Sequence, residues 1–383
     1  MTREEQIKIL KETYGEKLPE LPEVYRAGSG VFDEIADNHE LTPYLLYELF
    51  TPEEMEIVNT LPATAAQASE KLGWDKERVE FLLDKINAEG KLVDDGGDPK
   101  IYGVYRRAVT FRDSIVGAGL RGDMSYVDNR KAFTLMENWI RFTPDTKIPL
   151  ENILEMRVIP KWNSIKDIPG VMHCENMKEI IEENLKKGTI IANQCGCRAV
   201  KSYIDEGKYS PDHCKVFHEH EDNSDGHCLM FEEFAAHMIK KYPQGQNIPD
   251  REQAMKVFQE VEESTAIYSG AKTRQIANVC TCCSCCCTVQ RHIQDGLTEV
   301  LRPSRFRPEC NHDKCVGCEI CLSRCYYDAI RMTDEGIVVD PDRCKGCGNC
   351  VVTCPTKALK MKIVHDPSWI PDEIYVNDFE YNG

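Results

Sequence analysis

The sequence predicts an α+β multidomain chain with a helical N-terminal part, an α/β cysteine-rich middle and a compact C-terminal module. Three observations lead there. The 383 residues are enough for two or three domains with cores of their own. All 20 cysteines fall between Cys174 and Cys354, so one half of the chain differs chemically from the other. Past residue 310 the chain repeats itself with a period of 29, the mark of a small duplicated unit. The expected domains are 1–110, 111–309 and 310–383.

The cysteine density suggests either a secreted disulfide scaffold or a metal protein. The charged start MTREEQIKIL lacks the apolar core of a secretory signal, and no apolar run reaches the ~18 residues of a membrane span. A cytoplasmic setting with no transmembrane segment is therefore expected. In a reducing cytoplasm, clustered thiols persist as metal ligands rather than as disulfides.

Residues 1–110 carry 23 acidic and 13 basic side chains, which is −10 of the chain's net −17. From Pro62 the pattern gives a short Ala-rich helix, a turn at Gly73, and a second helix with Val79, Leu82, Leu83 and Ile86 at spacings of three and four. Gly90 stops that helix and a strand starts at Lys91-Leu92-Val93. This order resembles a winged-helix domain, which in DNA-binding proteins places its second helix in the major groove. Phosphate contact needs a basic surface, yet Asp75, Glu77, Glu80, Asp84 and Glu89 alternate here with Lys76, Arg78, Lys85 and Lys91. No nucleic-acid partner is expected, and the segment reads as a packing or docking surface.

Next comes Gly117-Ala-Gly-Leu-Arg-Gly122, which fits a G-x-G-x-x-G pattern but lacks the buried strand that a dinucleotide site requires before it. It reads as a glycine-rich turn. In the α/β middle, Asn176 to Lys187 reads as a helix closed by Gly188, and Thr189 to Ala192 as a strand. Leu229 to Tyr242 reads as a helix, and Asp250 with Gln253 as a capping box for one that buries Ala254, Val257, Phe258 and Val261.

The C-terminal repeat carries the strongest signal. Cys315-x2-Cys318-x2-Cys321-x3-Cys325 aligns with Cys344-x2-Cys347-x2-Cys350-x3-Cys354, and Ala329 and Met332 recur as Ala358 and Met361. Over about 50 residues this resembles the bacterial two-cluster ferredoxin, whose motifs each give three thiolates to one cubane and the fourth to the other. The resemblance implies one [4Fe-4S] cluster on Cys315, Cys318, Cys321 and Cys354, and a second on Cys344, Cys347, Cys350 and Cys325. One departure is visible: Pro355 follows Cys354, but Tyr326 follows Cys325. Zinc does not suit interleaved triplets, because each ion wants four ligands in two separated pairs.

Two further constellations lie upstream. In Cys280-Thr-Cys-Cys-Ser-Cys-Cys-Cys287, six thiols are too crowded for one cluster. Cys280, Cys283 and Cys286 keep the C-x2-C-x2-C spacing, with Cys282, Cys285, Cys287 and Cys310 as secondary candidates. An iron–sulfur cluster is the expectation, and a thiol–disulfide relay the alternative. Cys195, Cys197, Cys214 and Cys228, among His213, His218, His220 and His227, offer either another iron–sulfur site or zinc with a histidine. His218 and His220 read as a solvated acidic loop. One or two clusters beyond the first two are thus expected, and the layout resembles large multi-cluster ferredoxin-type proteins of anaerobes.

Four-thiolate cubanes have no open iron for a substrate, so the expected function is electron transfer at low potential. The expected partner is a flavoprotein or catalytic subunit of an oxidoreductase complex. Two alternatives remain: a redox-sensing transcription regulator, and an iron–sulfur enzyme using an unusual cluster at Cys280–Cys287. No hydrolytic nucleophile and base stand at a recognisable spacing.

Overall fold

Where the hydrophobic face of each helix goes decides how this chain divides. The computed structural model describes residues 2–32, 40–105, 108–121, 130–141, 156–208, 210, 212–217, 226–241, 246–294, 301–334 and 336–372; His218 and His220 lie outside them. One unit is built from Met1–Ile153 and Gly196–Ser210, the other from Leu154–Cys195 and Pro211–Tyr375. These are not the boundaries expected at 110 and 309. Residues beyond 110 still feed the first core, where Phe111, Ile115, Phe133, Trp139, Ala199 and Tyr203 are buried with Leu45, Met55 and Leu83. Nor does the chain break at 309, because Phe306–Cys310 pairs in antiparallel register with Leu359–Ile363.

The first unit is mainly helical. Thr64 and Gln67 form a capping box for the helix Ala65–Leu72, and Gly73 ends it in the left-handed region at φ 69°. The Asp75 carboxylate then accepts from the Arg78 N–H to cap Lys76–Ala88, which buries Val79, Leu83 and Ile86. Strands Ala63–Thr64, Ile101–Gly103 and Val93–Asp94 form a small antiparallel sheet in that spatial order. The glycine-rich turn is corrected: residues 117–121 lie inside the helix Ala108–Arg121. Phe111, Ile115 and Ala118 are buried at helical spacing, and that burial outweighs the weak helix propensity of the glycines.

The second unit is organised by a six-stranded sheet. Its spatial order is Ile190–Asn193, Cys228–Phe231, Asn278–Cys282, Ile267–Ala271, Met156–Ile159 and Leu301–Arg302, antiparallel except at the last pair. On one face Leu229, Val279 and Tyr268 pack with Ile180 and Ile181 of helix Met177–Lys187 and Val257 and Val261 of helix Arg251–Glu263. On the other face Ile191 and Met230 meet Ala235 and Met238 of helix Glu232–Lys241. The helix expected from Leu229 therefore starts later, because residues 229–231 alternate between the two faces as a strand does.

Two buried cations brace this unit. The Lys161 ammonium donates to the carbonyls of Val261, Glu262 and Ser264 at 2.6, 3.0 and 2.6 Å, closing the C-terminal end of a helix where positive charge is favoured. Arg305 makes a two-pronged bond to Glu175, Nε to Oε1 at 2.9 Å and Nη2 to Oε2 at 2.7 Å, with both side chains about 1% exposed. Removing one partner strands the other's charge in the core, so Glu175→Ala should lower stability by about 3–5 kcal/mol in a urea titration. The double variant Glu175→Leu with Arg305→Met should recover most of that loss.

Candidate metal centres

In the C-terminal module the repeat extends to the backbone. Three pairs of residues 29 positions apart adopt left-handed φ: Gly317 with Gly346 (66° and 68°), Glu319 with Gly348 (58° and 85°), and Asp328 with Lys357 (46° and 52°). Both loops thus turn in the same way around their cysteines. Each is followed by a single helical turn, Ile320–Ser323 or Asn349–Val352. Between them lies a small core of Cys321, Ile330, Ile337, Cys350 and Leu359.

Cys315, Cys318, Cys321 and Cys354 line one pocket. Cys310 joins them there, beside Cys315, and not the thiols of residues 280–287. Its strand fixes this, because Cys310 pairs with Leu359 beside the loop that carries Cys354. Burial acts to raise the Cys354 thiol, but donors from the Leu359 and Ala358 backbone and the Thr356 hydroxyl hold it below the usual thiol range. The Ala358 N–H to Sγ distance is 3.3 Å. Such N–H donors to sulfur suit a thiolate ligand and tune a cluster's potential. In the second set, burial pushes the Cys347 thiol up to about 12. Burial also raises Cys350 strongly, with Cys347, Cys344 and Cys325 adding to the effect as its near neighbours. Thiols raised in this way must shed protons to bind metal.

The two loops differ in exposure. Val316 is 68% exposed and Ile320 40%, and Cys318 is also open to solvent. The matching second loop is covered: Lys345 and Asn349 are buried, the Lys161 N–H donates to the Cys347 carbonyl at 3.0 Å, and Gly348 faces the Ser164 hydroxyl where no Cβ fits. Tyr326, which stands where proline was expected, sends its hydroxyl to Thr265 Oγ1 at 2.6 Å and lies within the electrostatic reach of Cys283 and Cys285. The Tyr327 hydroxyl bonds Gln290 at 3.0 Å, and burial, with Cys347, Cys282 and Cys287 adding to it, raises this phenol well above its usual range.

The upstream cysteines are regrouped. The expected triplet Cys280, Cys283 and Cys286 is divided, because Cys280 and Cys282 lie on the strand Asn278–Cys282 and share one face of it. On that face Cys280 pairs in register with Cys228, and the neighbouring Cys280 and Cys287, together with burial, raise the Cys282 thiol well above its usual range. The turn after the strand carries Cys283, Cys285 and Cys286 to the opposite face. There they meet Cys214, with Sγ separations of 3.7 Å for Cys214 to Cys283, 3.7 Å for Cys214 to Cys285 and 3.6 Å for Cys286 to Cys285. The expected set Cys195, Cys197, Cys214 and Cys228 is therefore not one site. Cys195 follows the strand whose Asn193 pairs with Cys228, so it sits at the same sheet end as Cys228 and Cys280. Cys197 belongs to the helix Gly196–Glu206 of the first unit and accepts from Arg112 Nη2 at 3.3 Å. His227 stacks on Phe217 and pairs with Glu260 at 3.0 Å. Sequence spacing missed these groupings, although strand alternation through NVCTC offered a signal.

Residues 305–361 match the family described as the 4Fe-4S dicluster domain. Among curated proteins no match to the chain was found, and none among solved structures. The match covers the C-terminal module with all eight repeat cysteines and identifies iron–sulfur chemistry there. The interleaving is testable: Cys354→Ser should damage the cluster served by Cys315, Cys318 and Cys321 and spare the other. Electron paramagnetic resonance of the reduced variant separates the two, and loss of the Cys344 motif's signal instead would exclude the crossed arrangement.

Proposed function

We propose that this protein relays low-potential electrons between redox partners, as a subunit of an anaerobic oxidoreductase complex. The observation that carries this is the unequal exposure of two otherwise matching cysteine loops in a single 4Fe-4S dicluster domain. Bound by four thiolates each, the clusters exchange single electrons and make no bonds to substrate. The chain supplies the order. The open loop with Val316, Cys318 and Ile320 is the face for an external partner, a flavoprotein or a catalytic subunit. The covered loop with Cys344, Cys347 and Cys350 faces inward. Tyr327, two residues past Cys325, bonds Gln290 on the helix Thr288–Gln294 that follows Cys287, so the inward loop leads to the thiols at the sheet end. Those thiols, Cys228, Cys280, Cys282 and Cys287 with Cys195 beside them, form the site of a third cluster.

In the first unit, the helix-turn-helix and three-stranded sheet of residues 63–103 serve as a winged-helix-like docking element for protein. Phe81 on its second helix is 68% exposed, between acidic Glu80 and Asp84. An apolar ring among carboxylates suits a protein surface and opposes a phosphate backbone.

Anaerobically purified protein should hold about twelve irons with matching sulfide, four for each of three clusters, and dithionite should bleach its visible absorption. A chain with no dithionite-reducible cluster would sink the relay. About eight irons would confine it to the C-terminal module. Val316→Glu together with Ile320→Glu should slow reduction by an external donor several-fold while leaving iron content and dithionite bleaching unchanged.

A further inference from the structure

The relay leaves one thiol group without a task, the set formed by Cys214, Cys283, Cys285 and Cys286. Cys214, Cys283 and Cys286 are buried and Cys285 is half-buried. All four sulfurs lie within 4.8 Å of one another. Their closest separations, 3.6 to 3.7 Å, are far from the ~2.05 Å of a disulfide. They do match the edge of a tetrahedron around one ion. A metal–sulfur bond of about 2.3 Å gives a sulfur–sulfur edge of about 3.8 Å.

A cubane sets its ligands at the outer corners of a body of four irons and four sulfides, so its thiolates stand much further apart than those around one ion. This chain carries its own comparison. Among the described residues, no three of the eight thiols in the dicluster domain come within 4.8 Å of one another. Local backbone supports the smaller site as well. Cys283, Cys285 and Cys286 lie in one tight turn, and the Cys286 N–H donates to Cys283 Sγ at 3.4 Å, a donor suited to sulfur carrying negative charge. The fourth sulfur comes from the separate segment 212–217, which lies between stretches outside the described residues.

We infer that Cys214, Cys283, Cys285 and Cys286 form a closed tetrathiolate site for a single zinc ion. Four soft thiolates in a tetrahedron select zinc over hard cations, and a site closed by four protein ligands is structural rather than catalytic. Zinc has no redox chemistry, so this site goes beyond the relay and lies outside the electron path. Its task is mechanical. It pins the loop carrying Cys214 to the turn after the strand Asn278–Cys282, and so fixes the direction in which Cys287 returns to Cys282 on the other side of the sheet.

The test is metal analysis of the full chain, purified anaerobically from zinc-supplemented cells. About one zinc per chain is expected, and it should stay bound when ferricyanide and a chelator strip the iron and sulfide. Replacing zinc with cobalt should give the absorption bands of a tetrahedral cobalt tetrathiolate. Cys214→Ser should remove zinc and leave iron and sulfide unchanged; if that variant is insoluble, Cys285→Ser, at the half-buried ligand, provides the same reading. A zinc-free protein, or a loss of about four irons and four sulfides in either variant, would overturn the assignment. These readings are separate from those of the relay, which fails or stands on the reducible iron.

Discussion

The pleat of one strand governs how this protein sorts its upstream cysteines. Side chains of an extended strand point alternately to opposite faces. In Asn278–Cys282 this puts Val279 in the core against Leu229 and turns Cys280 and Cys282 the other way. Without that alternation the six cysteines from Cys280 to Cys287 would compete for one centre. With it they are sorted across the thickness of a sheet into one group with Cys228 and another with Cys214. The surrounding fold holds the strand in place, through its register with Ile267–Ala271 and Cys228–Phe231 and through the helices on either face.

A second constraint is the difference between two copies of one motif. The dicluster domain repeats its cysteines, its left-handed backbone positions and its short helical turns, so the two loops present equivalent ligands. What distinguishes them is what covers them. Lys161 and Ser164 close over the second loop, and Tyr326 and Tyr327 occupy the stretch where the second copy has Pro355 and Thr356. Proline has no side-chain hydroxyl to reach a partner. Tyr326 and Tyr327 do, and they bond Thr265 and Gln290 near the two upstream thiol groups. The departure from the repeat thus marks where the domain joins the rest of its unit, and it gives a symmetric pair of sites an inside and an outside.

Buried charge completes the frame. Arg305 with Glu175, and Lys161 with three helix-end carbonyls, join segments 100 or more residues apart in sequence. Such pairs cost desolvation when they form and are weak evidence of net stability. Their value here is geometric. Arg305 fixes the start of the dicluster domain to the turn His173–Glu175, and Lys161, whose N–H also holds the Cys347 carbonyl, ties the second loop to the end of the helix Arg251–Glu263.

The sequence alone determined the chemistry of the C-terminal module, since ligand spacing within one loop is local and eight cysteines at a period of 29 leave little else to decide. It also determined the helix ends at Asn176, Gly188 and Asp250, because caps act within a single turn. Tertiary structure decided which upstream thiols meet. Cys214 is separated from Cys283 by 69 positions, and nothing in that spacing distinguishes it from Cys228. Only strand pairing and the two-faced burial of the sheet send Cys228 to one side and Cys214 to the other. The domain boundaries were decided in the same way, by where Phe111, Trp139 and Tyr203 found a core, because burial is a property of the packed chain that no local stretch of sequence contains.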